Sequence, residues 1–302
     1  MNGPVLITGS SSGLGLATAK VLAGNGIPTI LACRDASRAA AAKQQISAVA
    51  PQAEVEIVIV DLASIDSVHQ AATEMAAREL TPSAIICNAG LQIVDGVESS
   101  TDGYEMTFAT NHLGHFQLVG ELLDALEPGA RVVVVSSDVH QGPGKSGGFP
   151  APEWAAPGIL ADAERQRRRP SSRDGRVRYA TSKLANVYFA YELARRVEQR
   201  GITVNAFDPG LMPETQLSRN YPTVMRRGFQ LMAPLIRLMV PVARPLAQSA
   251  DDLAWLATAP ELAECTGSYF TGRNKVPSAP ESYDADRARE LWTASELLVQ
   301  KR

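Results

Sequence analysis

Short apolar segments alternate with helix-length segments along the chain, and this order constrains the fold more than any other feature. The apolar segments are rich in Val and Ile and mostly lack polar–apolar alternation, which is typical of parallel strands buried on both faces. They are Val5–Ile7, Thr29–Ala32, Val55–Val60, Ala84–Cys87, Arg131–Val135 and Thr203–Phe207. The helical segments are Leu14–Gly24, Ser37–Ala50, Ser64–Glu79, Asp102–Leu126 and Tyr179–Arg200. This order predicts an α/β fold, a doubly wound parallel sheet with helices on both faces.

One helix boundary has a specific sequence signal. Asp102 is followed three residues later by Glu105, which is the spacing of a capping box. We therefore predict that the fourth helix begins at Asp102.

The composition is that of a soluble globular protein, and we expect residues 1–302 to form a single domain. The net charge is −3, which argues against a nucleic-acid partner. Three Cys and four His residues show no spacing of a disulfide framework or a metal site, so no metal is predicted. No signal peptide or transmembrane segment is evident, which indicates a cytoplasmic protein. Both a monomer and a homo-oligomer remain open.

Two segments interrupt the regular pattern. Residues 138–178 are rich in Gly and Pro and carry an arginine run, and loops of this length are often functional. We expect a flap beside a substrate site, with a solvated excursion as the alternative. Residues 211–248 are apolar but interrupted by Arg and Pro, too often for a membrane span. We expect a substrate-covering segment there, and peripheral membrane contact is the alternative.

A glycine-rich loop joins the first strand to the first helix. Its sequence is Thr8-Gly9-Ser10-Ser11-Ser12-Gly13-Leu14-Gly15. Glycine lets the backbone approach a phosphate closely, and the helix N-terminus offers free N–H groups to a pyrophosphate. The strand–turn–helix context is the one that a dinucleotide-binding, Rossmann-type fold requires. We assign cofactor contacts to Gly9, Ser11, Ser12, Gly13, Leu14 and Gly15.

The end of the second strand bears on the choice between NAD(H) and NADP(H). A carboxylate there binds the ribose of NAD, whereas an arginine accommodates the 2′-phosphate of NADP. The sequence is Cys33-Arg34-Asp35, and Arg34 favours NADP(H) because guanidinium pairs well with phosphate. Asp35 keeps NAD(H) open as the alternative.

Tyr179 and Lys183 are spaced for proton-transfer chemistry. Residues four apart share one helix face, so both side chains reach one site. A free tyrosine titrates near pH 10, and a neighbouring ammonium favours its phenolate. Tyr179 is then the candidate acid/base toward a carbonyl or alcohol oxygen. Ser137, at the end of the fifth strand, is a candidate to donate a hydrogen bond to that oxygen.

These motifs, in this order, resemble the short-chain dehydrogenase/reductase family over nearly the whole chain. The resemblance implies that Lys183 also holds the nicotinamide ribose and that Asn111 supports a proton relay. It implies that Cys33 stands where NAD-dependent members carry aspartate. It also implies further cofactor contacts, from Asp61, Leu62, Asn88, Ala89, Gly90, Pro209, Gly210, Leu211 and Thr215. His112 and His115 are interpreted as structural.

Several stretches resemble the retinol dehydrogenase and protochlorophyllide reductase branch of that family. They include Asn111–Phe116, Ser182–Asn186 and Thr266–Phe270. The resemblance implies an NADP(H)-dependent enzyme that interconverts a carbonyl and an alcohol on a bulky hydrophobic substrate. Reduction of a conjugated C=C bond is the alternative reaction, and a non-catalytic NADP-binding scaffold is the alternative class.

Overall fold

The computed structural model describes residues 3–212 and 244–300. Within these ranges one sheet of eight strands has the order β3-β2-β1-β4-β5-β6-β7-β8. The strands are β1 (Val5–Thr8), β2 (Thr29–Cys33), β3 (Val55–Ile59), β4 (Ala84–Cys87), β5 (Arg131–Val135), β6 (Thr203–Asp208), β7 (Ser268–Thr271) and β8 (Asn274–Lys275). Neighbouring strands are parallel except β8, which pairs antiparallel with β7. The predicted fold class is confirmed.

The helices cover both faces of the sheet. They are α1 (Gly13–Gly24), α2 (Ala36–Ser47), α3 (Ile65–Ala77), α4 (Met106–Phe108), α5 (Gly114–Leu123), α6 (Pro157–Leu160), α7 (Ala163–Gln166), α8 (Ser172–Val197), α9 (Leu246–Thr258) and α10 (Ala285–Gln300). Successive residues of β1 point to opposite faces. Leu6 packs with α3, α5 and α8, whereas Val5 and Ile7 pack with α1, α2 and α9. Both faces are therefore apolar, which explains the absence of alternation in the sequence.

The six predicted strands are all present, and the structure adds two at one edge. Strand β7 has only four residues, and its Tyr269 and Phe270 are buried in the clusters on opposite faces. Strand β8 has only two residues and is exposed. Neither segment contains an apolar run that is long enough to predict a strand from the sequence.

The prediction that a helix begins at Asp102 was wrong. Helix α4 begins at Met106, and Glu105 is its N-cap, accepting the N–H of Phe108 at 2.7 Å. Asp102 instead accepts the N–H of Ile65 at 2.8 Å, so it caps helix α3. The acidic pair therefore serves two different helices, which only the packing of α3 against this turn reveals.

Helix α8 begins before the predicted residue Tyr179. Ser171 is its N-cap and accepts the N–H of Asp174 at 3.2 Å. The helix runs to Val197 and is followed by a 3₁₀ turn, Glu198–Arg200. Tyr179 and Lys183 consequently lie well inside a long helix rather than at its frayed first turn.

The irregular segment 138–178 packs on this helix. It forms a 3₁₀ turn, Asp138–Gln141, then α6 and α7, and finally the start of α8. The ring of Trp154 packs against Tyr188 of α8 at 4.8 Å between centroids. The ring of Phe149 packs edge-on against Tyr179 at 6.0 Å. Part of the segment therefore lies directly beside the candidate acid/base.

Helix α10 covers the outer side of α5 and α8. Trp292 packs edge-on against Phe116 at 4.9 Å, and the guanidinium of Arg196 lies 4.3 Å from the Trp292 ring. Within residues 3–212 and 244–300, none of the helices combines the length and the hydropathy needed to cross a membrane. Most of the predicted covering segment 211–248 lies outside the described residues.

Gly114, at the start of α5, supports a prediction on stability. A Cβ placed there would lie 2.2 Å from the carbonyl oxygen of Leu62, so backbone would have to move. We expect Gly114→Ala to lower the free energy of unfolding by about 2 kcal/mol or more. Gly120→Ala, on the same helix with open space around its Cβ, should be neutral or stabilising by up to about 1 kcal/mol. Urea denaturation measures both, and equal effects would contradict the prediction.

Candidate active site

The glycine-rich loop has the backbone geometry that an anion site needs. Gly9 has φ +66°, and a Cβ there would lie 2.9 Å from Cα of Ala89. A Cβ at Gly15 would lie 2.7 Å from the carbonyl oxygen of Gly9. Ser12 is the N-cap of α1, and within the part of the chain that the structure describes its side chain makes no capping hydrogen bond. The first N–H groups of α1 are therefore available to a pyrophosphate, so the loop fits a dinucleotide.

The three side chains at the end of β2 have different surroundings. Burial raises the pKa of the Cys33 thiol, so the residue stays neutral. Asp35 is the N-cap of α2, and its carboxylate accepts the N–H of Arg38 at 2.9 Å and the hydroxyl of Ser37 at 2.6 Å. Arg34 is exposed beside them. The carboxylate that kept NAD(H) open is thus engaged in capping a helix.

Sequence reasoning missed Arg38. Its guanidinium donates to the hydroxyl of Ser12 at 3.3 Å, so it lies against the phosphate loop. The available signal was its spacing of four residues from Arg34, at the beginning of a predicted helix. Arg38 is therefore a second cation, besides Arg34, in the segment that follows β2.

Asp61 and Leu62 follow β3 at the same edge of the sheet. One carboxylate oxygen of Asp61 accepts the N–H of Ala63 at 3.0 Å, and its own N–H donates to Ser67. Leu62 is buried against Gly114. The structure places both residues in a tight turn, with Asp61 part-exposed.

The turn Asn88–Gly90 follows β4 and joins the cofactor crevice to the catalytic residues. The side-chain amide of Asn88 donates to the carbonyl of Thr8 at 2.8 Å. A Cβ at Gly90 would lie 3.4 Å from Oδ1 of Asn111 and 3.5 Å from Nζ of Lys183. This turn therefore lies against β1 on one side and against two predicted catalytic residues on the other.

Asn111 occupies a π-helical turn, Ala109–Leu113, between α4 and α5. Its Oδ1 accepts the N–H of Leu91 at 2.9 Å, and its Nδ2 donates to the carbonyl of Leu91 and the hydroxyl of Ser182, each at 3.0 Å. Single π-turns are frequent at functional sites. The side chain ties the loop after β4 to helix α8.

His112 and His115, near Asn111, are neutral and link neighbouring elements through hydrogen bonds. His115 donates from Nδ1 to the carbonyl of Asn111 at 3.1 Å, which leaves Nε2 to accept from Thr8 at 2.8 Å. Burial lowers the pKa of His115 to about 4. Burial likewise lowers the pKa of His112 to about 3, and its ring contacts Ser295 of α10. Their structural interpretation agrees with this environment.

Tyr179 and Lys183 lie on one face of α8, as their spacing requires. The ammonium of Lys183 is 5.6 Å from the Tyr179 ring centroid and donates to the carbonyl of Val135 at 3.2 Å. Both side chains are more than nine-tenths buried. Burial lowers the pKa of Lys183 to about 8. Burial, reinforced by the charges of Asp138 and Asp208, raises the pKa of Tyr179, which is opposite to the effect that we expected from the neighbouring ammonium.

The two serines after β5 have different surroundings. Ser136 is buried, and its hydroxyl donates to the carbonyl of Lys183 at 2.8 Å, a purely structural contact. Ser137 is half-buried and caps the following 3₁₀ turn. Its hydroxyl donates to a carboxylate oxygen of Asp138 at 3.0 Å. Of the pair, Ser137 is the one that a substrate can approach.

The turn after β6 lies at the same edge of the sheet, where the parallel strands end. Gly210 has φ +75°, and its N–H donates to Asp208 at 2.9 Å. Ser249 of α9 donates to the carbonyl of Pro209 at 2.7 Å, and Leu211 is exposed. Thr215 lies outside the described residues. Sequence reasoning missed Asp208, although a carboxylate at the end of a buried strand was a visible signal.

The family model for short chain dehydrogenases matches residues 4–149. Human retinol dehydrogenase 13 is 35% identical over 98% of this chain and 84% of its own length. Human WW domain-containing oxidoreductase is 34% identical over 99% of this chain and 68% of its own length.

Solved structures show the same architecture. A protein of unassigned function from Mycobacterium paratuberculosis superposes with a TM-score of 0.72 at 28% identity, covering 99% of this chain and 94% of that one. A blue fluorescent protein from a metagenomic library, in complex with NADPH, has a TM-score of 0.65 at 23% identity, covering 89% and 96%. The latter likeness concerns the fold alone. From the identity of its relatives and the extent of the match, the chain belongs to the short-chain dehydrogenase/reductase family of oxidoreductases.

Proposed function

We propose that the chain is an NADP(H)-dependent oxidoreductase that interconverts a carbonyl and an alcohol on a bulky hydrophobic molecule. The observation that carries the proposal is the position of Tyr179 and Lys183. They share one face of α8, and Gly90 and Asn111 bring that face to the crevice that begins at the phosphate loop. An acid/base and a cation therefore stand beside the site whose geometry fits a dinucleotide.

In the reductive direction, each of these residues has a separate role. When bound, NADPH supplies the hydride. Tyr179 donates its phenolic proton to the substrate oxygen, and Ser137 donates a hydrogen bond that orients this oxygen. The positive charge of Lys183 stabilises the phenolate that Tyr179 becomes, and its ammonium would hold the cofactor ribose. Asn111 keeps the loop after β4 and helix α8 in register for proton return.

Tyr179→Phe removes the only atom that transfers the proton in this scheme. We expect turnover to fall by about 10²–10⁴-fold, while the Kd for NADPH, from fluorescence titration, changes less than about twofold. Tyr188→Phe is the matched control on the same helix, because Tyr188 bonds to the carbonyl of Glu281 instead. Turnover retained in Tyr179→Phe would refute the mechanism. Turnover absent from the unaltered protein on every substrate would favour a binding scaffold.

The preference for NADP(H) rests on three side chains. The guanidinium of Arg38 lies against the loop, Arg34 is an exposed cation directly after β2, and Asp35 is engaged as a helix cap. A 2′-phosphate pairs strongly with guanidinium, whereas Asp35, the carboxylate that could accept from the ribose hydroxyl of NAD, uses one of its oxygens to cap α2.

Arg34→Ala and Arg38→Ala test this preference separately. Charge-assisted hydrogen bonds contribute about 1.5–3 kcal/mol, so each variant should raise the Kd for NADPH about tenfold or more. The Kd for NADH should change less than about twofold in both. Lys43→Ala, an exposed cation on the same helix α2, is the control and should change neither. Equal losses for both cofactors would contradict the assignment.

The substrate proposal rests on the segment 138–178 and on the relatives. Phe149 places an aromatic ring against Tyr179, so an apolar wall lies beside the proton donor. Relatives of this chain are named retinol dehydrogenases, and retinal is therefore the first bulky carbonyl to assay. Product analysis separates carbonyl from C=C reduction, since only the former yields an alcohol.

Phe149→Ala tests the flap. We expect the KM for retinal to rise about tenfold, because one aromatic wall contributes about 1–3 kcal/mol, with a smaller change for a short-chain aldehyde. The Kd for NADPH should be unaffected. Ile159→Ala, an exposed residue of α6 in the same segment, is the control. A KM unchanged for both aldehydes would place the segment away from the substrate.

A further inference from the structure

Ser137 has a hydrogen-bond partner that competes with its proposed role. Its hydroxyl donates to a carboxylate oxygen of Asp138 at 3.0 Å. A hydroxyl carries a single proton. While Asp138 accepts that proton, Ser137 has none to donate to a substrate oxygen. The state of Asp138 therefore decides what Ser137 can do.

A second carboxyl group faces this pair from β6. Asp208 is about 1% exposed and accepts the N–H of Gly210 at 2.9 Å and the hydroxyl of Thr271 at 3.3 Å. Burial raises the pKa of Asp208 to about 6, and the charge of Asp138 contributes to the rise. Burial likewise raises the pKa of Asp138. Two neighbouring buried carboxyl groups do not both ionise easily, so this pair retains a proton more readily than isolated aspartates.

The other titratable groups around the pair define its charge balance. From α8, Lys183 is the cation that acts on Asp208, and Tyr179 is neutral. From β7, Tyr269 is neutral because burial raises its pKa. His140, on the same 3₁₀ turn as Asp138, accepts the N–H of Ala279 on Nε2, so its Nδ1 proton goes to the carbonyl of Ser137. Burial lowers the pKa of His140 to about 4, so it adds no charge.

We propose that Asp138 is a positioning residue that sets the direction of the Ser137 hydroxyl. With a proton on Asp138, its carboxyl donates to Oγ of Ser137, and Ser137 donates to the substrate oxygen. With Asp138 ionised, Ser137 donates to Asp138 instead. Because a negative charge on either carboxyl favours a proton on the other, Asp138 and Asp208 titrate as a coupled pair. This inference rests on the proposed function, because Ser137 must be the group that orients the substrate.

The sign of the pH dependence follows directly. The competent state is the protonated one, so carbonyl reduction is supported below the pKa of Asp138 in the folded protein. It declines as the pH rises through that value. Because the pKa is raised, the decline lies above the ordinary titration range of aspartate.

The test is the pH profile of kcat/KM for retinal reduction with NADPH. In the unaltered protein we expect a decline of about 10²-fold on the alkaline side, the effect of losing one hydrogen-bond donor to the reacting oxygen. Asp138→Asn cannot ionise, so the limb caused by Asp138 should disappear, and only the decline that follows the loss of the Lys183 charge, with its pKa of about 8, should remain. Asp208→Asn should move the limb to lower pH, because one negative charge is removed from the pair. In a Ser137→Ala background, Asp138→Asn should have no further effect.

A cofactor-free readout accompanies the kinetics. The ¹³C chemical shift of the Asp138 carboxyl, followed by NMR against pH, should titrate at higher pH in the unaltered protein than in Asp208→Asn. Thermal melting checks that each variant folds. If Asp138→Asn does not fold, Asp208→Asn tests the same pair by substituting its second carboxyl group.

The outcomes separate the two proposals. If Ser137→Ala and Tyr179→Phe leave turnover intact, the proposed function fails. The role of Asp138 alone fails if both variants abolish turnover but the alkaline limb assigned to Asp138 persists in Asp138→Asn. It also fails if Asp138 titrates at the same pH in Asp208→Asn as in the unaltered protein.

Discussion

The hydroxyl of Thr8 accepts the backbone N–H groups of Asn88 and Ala89 at 2.9 Å each, and the rest of the site depends on this contact. Strands β1 and β4 are neighbours where the strand order reverses, which opens a crevice above their carboxyl ends. Gly9 fits because a side chain there would collide with Ala89. His115 links the same hydroxyl to the carbonyl of Asn111. The phosphate loop and the catalytic side are therefore held by one buried polar cluster.

Burial sets the chemistry of the catalytic side. The same low-dielectric surroundings lower the pKa of Lys183 to about 8 and raise that of Tyr179. Asp138 and Asp208 add to the rise at Tyr179, which favours the protonated phenol. The site therefore combines one cation with two acids, and its protonation pattern depends on all of them together.

Segment 138–178 and helix α10 enclose the catalytic helix from outside. Phe149 and Trp154 pack against Tyr179 and Tyr188 of α8, and Trp292 of α10 packs against Phe116 of α5. Helix α8 is consequently buried on most of its surface, which explains why its sequence shows little amphipathic periodicity. The enclosure leaves little space around Tyr179 and Lys183, which are both more than nine-tenths buried.

The local pattern of the sequence determined much of this protein. Apolar runs such as Arg131–Val135 specified the central strands, the glycine spacing specified the phosphate loop, and the four-residue spacing specified that Tyr179 and Lys183 share a face. Each of these follows from backbone geometry within a few residues.

Tertiary structure alone decided the partners of polar side chains. Asp102 caps α3 rather than its own helix, Arg38 reaches Ser12, and the charge of Asp138, after β5, acts on Asp208 of β6. The edge strands β7 and β8 are also defined by pairing rather than by composition. The physical reason is that hydrogen bonds and charges act between whichever groups the fold brings together. Sequence spacing carries no information about such distances beyond one helical turn or one strand.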